Sequence, residues 1–139
     1  MAIEQLSVFL GNRPGRILNV CRLLGDNDID IKALSIAENK DYGVLRLIVD
    51  KLDLALKVLK DASFTAECTK VVAVEVPNVP GGLAQVLEAI DKARLNVEYM
   101  YGFSMKHSDN ALMVFRFEDP KKASEALAAA GIGIVAELR

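Results

Sequence analysis

Two short segments of this sequence combine residue types that bind small polar molecules, and one is a copy of the other. Segment 12–17 reads Asn-Arg-Pro-Gly-Arg-Ile, and segment 78–83, sixty-six residues further on, reads Asn-Val-Pro-Gly-Gly-Leu. Each segment follows an alternating apolar run and precedes a helical pattern. The first N–H groups of a helix attract a carboxylate, because they have no partner within the helix and carry a partial positive charge. The pattern therefore predicts two copies of one binding site.

The residue types in these segments suit a molecule that carries both a carboxylate and an ammonium group. An asparagine amide can accept a hydrogen bond from the ammonium and donate one to the carboxylate. The proline fixes the backbone at the start of the helix, and the glycine, which has no Cβ, lets a ligand approach the chain. The candidate binding residues are Asn12, Arg13, Pro14, Gly15, Arg16 and Ile17 in the first copy and Asn78, Val79, Pro80, Gly81, Gly82 and Leu83 in the second.

The backbone of the second strand of each half is a further source of donors and acceptors for a ligand. The candidates are Leu34, Ser35 and Ile36 in the first half and Tyr99, Met100 and Tyr101 in the second. The two halves differ beside the loops, since Arg13 and Arg16 stand where the second copy has Val79 and Gly82. Such an arginine either binds a carboxylate bidentately or is a solvated surface residue.

A purely structural interpretation of the loops is also open at this point. Asparagine is a favoured helix-capping residue, and Pro-Gly often marks a turn. On that interpretation Asn12 and Asn78 cap the helices that follow them and bind nothing.

The repeat extends well beyond the loops. Apolar residues at i, i+3, i+4 and i+7 after the first loop recur sixty-six residues later, which predicts an amphipathic helix in each half. Upstream, period-two alternation predicts a strand with one buried face. The matched helical positions are Ile17, Val20, Cys21 and Leu24 with Leu83, Val86, Leu87 and Ile90, and the matched strand positions are Leu6, Val8 and Leu10 with Val72, Val74 and Val76.

The remaining patterns give each half the order β-α-β-β-α-β. Second strands are predicted at 29–38 and 97–106, third strands at 44–49 and 111–117, and second helices at about 51–62 and 120–130, the last ending at Gly131. Final strands are predicted near 65–69 and 132–138, with a short linker near 67–70. The fold class is therefore α+β: two tandem ferredoxin-like units, residues 1–68 and 69–139, each an antiparallel sheet with its helices on one face. We expect the sheets to pair side by side through their edges.

Composition and charge exclude several other classes of protein. The net charge is −2, and each half carries −1, so no basic surface for nucleic acid is predicted. No apolar run approaches the length of a membrane span, and no signal peptide is evident, so a cytoplasmic protein is expected. Cys21 and Cys68 lack the spacing of a metal site and are expected to be small buried residues. No catalytic residue, metal or cofactor is predicted.

Here the sequence resembles the ACT domain, which has the pattern Asp/Asn-x-Pro-Gly-x-Leu between its first strand and first helix. The matching segments are 12–18 and 78–83, and the resemblance covers the chain as two tandem units. It implies a regulatory module that binds an amino acid between the first loop of one unit and the second strand of another. Many family members have aspartate where this chain has Asn12 and Asn78, which changes the polarity of the site.

The resemblance implies a non-enzymatic regulatory protein that senses a free amino acid at the interface between ACT-like units. It further implies an allosteric response passed to a partner protein or an associated enzyme, because the sequence shows no output domain. A homodimer is also expected, because Met113, Phe115 and Phe117 are predicted to lie on an exposed sheet face. Two alternatives stay open: an assembly module that binds no ligand, and a small enzyme on the ferredoxin-like fold, which hosts many chemistries.

Overall fold

The computed structural model describes residues 3–11, 14–38, 42–104 and 109–136, and these form two compact units. The N-terminal unit comprises Glu4–Thr69. The C-terminal unit begins at Lys70 and also includes Ile3. Each unit has its own cluster of buried apolar side chains.

The N-terminal unit contains strand β1 (Ile3–Gly11), helix α1 (Arg16–Asp26), strand β2 (Ile31–Glu38), strand β3 (Tyr42–Val49), helix α2 (Leu52–Asp61) and the start of strand β4 (Thr65–Pro77). Its strand order is β2-β3-β1-β4, with β3 antiparallel to both neighbours. Leu6, Val8 and Leu10 of β1 share one core cluster with buried residues of α1 and α2, as the alternation predicts. The core includes Leu6, Val8, Val20, Leu24, Leu45, Leu47 and Leu59.

The C-terminal unit repeats this plan. It contains the rest of β4, helix α3 (Gly82–Lys92), strand β5 (Val97–Ser104), strand β6 (Asn110–Phe117), helix α4 (Pro120–Ala129) and strand β7 (Ile134–Val135). The strand order is β7-β4-β6-β5, and every pair is antiparallel. Its core includes Val72, Val74, Val86, Ile90, Phe115, Phe117 and Leu127. The predicted β-α-β-β-α-β order is thus present in both halves.

All four helices end in the same hydrogen-bonded motif. The residue just beyond each C-cap has a positive φ, and the apolar residue after it donates its backbone N–H to the carbonyl five positions earlier. This is the Schellman motif, which usually places glycine at the positive-φ position. The predicted glycine stop at Gly131 is confirmed, but the other three helices use Asp28, Ser63 and Arg94 there.

The expected exposed sheet face with Phe115 and Phe117 is wrong, because both rings are buried in the C-terminal core.

Three further predictions are wrong in detail. Residues 67–70 form no linker, since β4 runs without interruption from Thr65 to Pro77. The segment has no glycine or proline before its last residue, so nothing in it ends the strand. Cys68 is exposed instead of buried. Ile17, assigned to the apolar face of α1, is 45% exposed because it lies at the first turn, beyond the part of the helix that covers the sheet.

Candidate functional site

The second copy of the loop is a tight turn that leads directly into helix α3. The N–H of Gly82 donates to the carbonyl of Val79 at 3.0 Å, and Gly81 has φ 83° and ψ −5°. With proline and then glycine at the two central positions, this is a type II turn. Asn78, Val79, Pro80 and Gly81 are all exposed. The Pro-Gly pair therefore determines the backbone path at the mouth of the candidate site.

Gly82 is packed against the end of the preceding strand. A Cβ atom at this position would lie 2.9 Å from the carbonyl carbon of Pro77 and would collide with its carbonyl oxygen. Gly82 is buried, whereas the loop residues before it are exposed. Gly82 thus lets α3 begin in contact with β4, and its contact with a ligand stays a prediction.

The structure does not support the capping interpretation for Asn78. The N-cap of α3 is Gly81, three residues later, and no side chain caps the helix. The N–H groups of Leu83 and Ala84 occupy helical positions that have no intrahelical acceptor. They remain available to a carboxylate at the positive end of the helix.

The backbone of Asn78 is anchored, while its side-chain amide makes no hydrogen bond to any residue that the structure describes. The N–H of Asn78 donates to the carbonyl of Asp109 at 3.0 Å. Next to this contact, Asn110 Nδ2 donates to Glu75 Oε2 at 3.3 Å. The first bond ties the loop to the residue that precedes β6, and the second joins β4 to the first residue of β6. The sequence pattern did not reveal this link, because it joins positions more than thirty residues apart.

The first copy of the loop has the same backbone geometry where it is described. Gly15 has φ 84° and ψ −4°, within a degree of Gly81, and it is likewise the N-cap of its helix without a side-chain cap. Pro14 and Gly15 are exposed. Asn12 and Arg13 lie outside the described residues. The matching angles show that the repeated Pro-Gly pair builds the same helix start twice.

Arg16 does not match the interpretation as a solvated surface residue, while its binding of a carboxylate stays a prediction. Its guanidinium carbon lies 4.5 Å from the centroid of the Phe64 ring, a cation–π arrangement. Its Nε is buried and has no hydrogen-bond partner. An unpaired buried donor costs about 1–3 kcal/mol. Arg16 is therefore a half-buried packing residue whose donor is unsatisfied, and not a solvated surface arginine.

The strand candidates lie on edge strands of their own units. In β2, Leu34 is 56% exposed and Ile36 is 46% exposed, although their cross-strand partners in β3 belong to the core. Cross-strand partners point to the same face of a sheet, so β2 presents an exposed apolar edge on its helix-covered side. Ser35 is half-buried.

In β5, the three candidates Tyr99, Met100 and Tyr101 are half-buried, and Met100 packs on the C-terminal core. Gly102 lies so close to β6 that a Cβ would collide with Met113. Within each described unit, the candidate loop follows the first strand, whereas the candidate strand lies at the edge of the sheet.

Neither a metal-binding group of side chains nor a membrane-spanning helix is found among the described residues. Among the described residues, no three or more His, Cys, Asp or Glu side chains are grouped so that they could hold a metal ion. In the same part of the chain, no helix has the length and apolar character needed to cross a membrane.

A single protein-family model covers both halves of the chain. The model of a family described as the ACT domain pair matches residues 1–138. Among solved structures, protein BT0572 from Bacteroides thetaiotaomicron is 40% identical, with a TM-score of 0.91; the match covers 97% of this chain and 92% of that chain. No curated protein matches the sequence.

More distant structures share the fold alone. The regulatory subunit of aspartate kinase from Thermus thermophilus, in a ligand-free form, is 18% identical with a TM-score of 0.64, and the match covers 91% of each chain. The corresponding subunit from Thermus flavus is 15% identical with a TM-score of 0.58, covering 94% of each chain. These matches confirm the predicted fold of tandem units with antiparallel sheets.

Proposed function

The chain belongs to the ACT domain pair family, and on this premise we propose that it is a non-enzymatic regulatory protein that binds a free amino acid at its duplicated loop. The observation that carries the proposal is the pair of identical helix starts. At Gly15 and Gly81 the same Pro-Gly pair opens a helix, and no side chain among the described residues caps either start. Two uncapped helix starts in exposed loops are suitable seats for the carboxylate of an amino acid.

Asn78 is the residue best placed to recognise the ammonium group. Its backbone is held by Asp109, and among the described residues its side-chain amide has no hydrogen-bond partner. A rigid backbone with a free amide reduces the entropy lost when a ligand is bound. Asn12 has the same role in the first copy under this proposal.

A second copy of the chain would complete the site. The exposed apolar side chains of Leu34 and Ile36 lie on an edge strand, which has free backbone hydrogen-bonding groups. Pairing of this edge with another copy would cover both features, so we propose a homodimer. The apolar edge also supports the alternative function, an assembly module that binds no ligand.

The proposal also includes the domain boundaries and the enzyme that responds to the ligand. We propose ACT units at residues 1–68 and 69–139, and allosteric control of a partner enzyme in the cytoplasm. A ligand produces such control only if its affinity differs between two states of the protein or its complex.

The test is a thermal-unfolding panel of the full chain with the twenty standard amino acids. A ligand present at a hundredfold excess over its Kd adds about 2.7 kcal/mol to the free energy of unfolding. We expect one amino acid, or a small group, to raise the melting temperature. If none does and the chain is still a dimer, the assembly function replaces the sensor.

Variants then locate the site. Asn78→Ala and Asn12→Ala should lower the ligand-induced shift in one or both copies, whereas Asn96→Ala, an exposed asparagine outside the loops, should leave it unchanged. A ligand response that is the same in all three variants would show that the amino acid binds elsewhere.

A further inference from the structure

The C-terminal unit contains a cleft that is separate from the exposed turn. It has a volume of about 390 Å³, which falls in the lower range of small-molecule sites. One side is formed by α3, and the other by the end of α4 and the residues after it. The lining residues include Glu75, Gln85, Ala89, Asn110, Gly131 and Ile132.

The cleft is open because the C-terminal unit has smaller residues at this place than the N-terminal unit. Ala89 of α3 corresponds to Leu23 of α1, which packs on the N-terminal core. Ile132 corresponds to Phe64, since each follows the positive-φ residue that ends the second helix of its unit. Phe64 is in turn covered by Arg16. The same place in the N-terminal unit is therefore occupied by larger side chains.

The charges around the cleft favour a cation. Glu75 contributes a carboxylate, and Asn110 Nδ2 holds one of its oxygens at 3.3 Å. The C-terminal end of α4 adds the negative end of a helix dipole, and its last turn has no basic residue to offset it. No lysine, arginine or histidine is among the residues that line the cleft. Val86, Ala89 and Ile132 supply an apolar wall beside these groups.

We propose that this cleft is a binding site for a small organic cation, a protonated amine on a short aliphatic chain. The ammonium group would lie against Glu75 and the end of α4, and the aliphatic part against Val86 and Ala89. The site is independent of the amino-acid site proposed at the turn, because it uses neither Asn78 nor the N–H groups at the start of α3.

The test uses 1,4-diaminobutane as the probe and 1,4-butanediol, which has the same chain length and no charge, as the control ligand. Calorimetric titration of the full chain at low ionic strength should show saturable binding of the diamine, at least ~10-fold tighter than the diol. Equal affinity for the two probes, or no saturation by the diamine up to ~10 mM, would reject the site.

Three variants test whether the diamine binds in the cleft. Glu75→Gln should weaken diamine binding at least ~10-fold, because a charged hydrogen-bond acceptor is lost. Glu88→Gln removes an exposed carboxylate from α3, which forms one side of the cleft, and should leave binding unchanged. Ala89→Leu introduces the residue that the N-terminal unit has and should abolish binding by filling the cleft.

Thermal unfolding of each variant checks that the fold is retained. If Ala89→Leu does not fold, the comparison of Glu75→Gln with Glu88→Gln decides the question alone. Wild-type affinity in Glu75→Gln, or the same loss in both glutamate variants, would overturn the proposal. The thermal-unfolding panel with amino acids is a separate experiment. A negative result for the amino-acid site therefore does not count against the cleft, and a negative result for the cleft does not count against the amino-acid site.

Discussion

A Cβ atom on Gly82 would collide with the carbonyl oxygen of Pro77, so helix α3 can begin where it does only with glycine at this position. The N-terminal unit has Arg16 at the matching place, with its side chain over Phe64. The two repeats thus share a turn, but the packing behind the turn differs. At position 82, contact with the preceding strand requires glycine, and at position 16 the side chain packs on an aromatic ring.

This contact predicts that Gly82→Ala destabilises the chain by about 2 kcal/mol or more, because backbone atoms must shift to admit the methyl group. Equilibrium denaturation with urea measures the change. Gly81→Ala is the matched control: it has open space around it but a φ of +83°, so it should cost about 1–2 kcal/mol. An unchanged midpoint in Gly82→Ala would show that the helix start is not so closely packed.

Gly25→Ala should have the opposite effect. Gly25 lies inside α1, has a negative φ, and has no atom within 4 Å of an added Cβ. Glycine within a helix is less favourable than alanine by about 0.5–1 kcal/mol, so the substitution should raise the free energy of unfolding by that amount. The same urea titration measures it, and a loss of stability would contradict the prediction.

The residues with positive φ after α3 and α4 predict two substitutions with opposite effects on stability. Arg94 has a φ of 56°, whereas the equivalent position after α4 is Gly131. Since a left-handed backbone costs an L-residue about 1–2 kcal/mol, Arg94→Gly should stabilise the chain by roughly 0.5–1 kcal/mol after the entropy of glycine is counted.

Gly131→Ala should destabilise it by about 1 kcal/mol, although the added methyl group meets no other atom. Differential scanning calorimetry on both variants checks the pair. Shifts of the same sign would show that the backbone angle is not the deciding factor.

The thiol of Cys68 should react slowly although it is exposed. Partial burial raises the pKa of Cys68, and the carboxylates of Glu4 and Asp53 raise it further, so less thiolate is present at a given pH. Only the thiolate reacts readily with alkylating agents.

Alkylation of Cys68 by iodoacetamide, followed by peptide mass spectrometry, should therefore be slower near pH 8 in the folded chain than in the urea-unfolded chain. The difference should shrink as the pH rises above the raised pKa. A folded-state rate equal to the unfolded rate at pH 8 would contradict this expectation.

Features set by short segments of chain were predictable from the sequence. The Pro-Gly turn depends on the fixed φ of proline and the positive φ that glycine permits, and both copies have the same angles. The alternation in β1 identified Leu6, Val8 and Leu10 as core residues. The order of strands and helices followed from the same local patterns, so the tandem fold was predictable.

Two other features depart from what the local patterns predict. Gln5 lies on the face of β1 that alternation assigns to solvent, yet it is 0% exposed and donates to Ser7 Oγ at 3.3 Å. Arg94 follows α3 with a positive φ, at a position where the pattern rules expect glycine. Residue periodicity and helix-ending rules are preferences, so single positions can depart from them.

The sequence by itself thus determined that one fold is built twice and that each copy opens its first helix with the same exposed turn. Local backbone preferences and residue periodicity are sufficient for that. Only the tertiary structure decided that Gly82 serves packing, that Arg16 covers Phe64 and that a cleft is open beside Ala89. Those outcomes depend on which side chains from distant segments meet, and on the space their volumes leave.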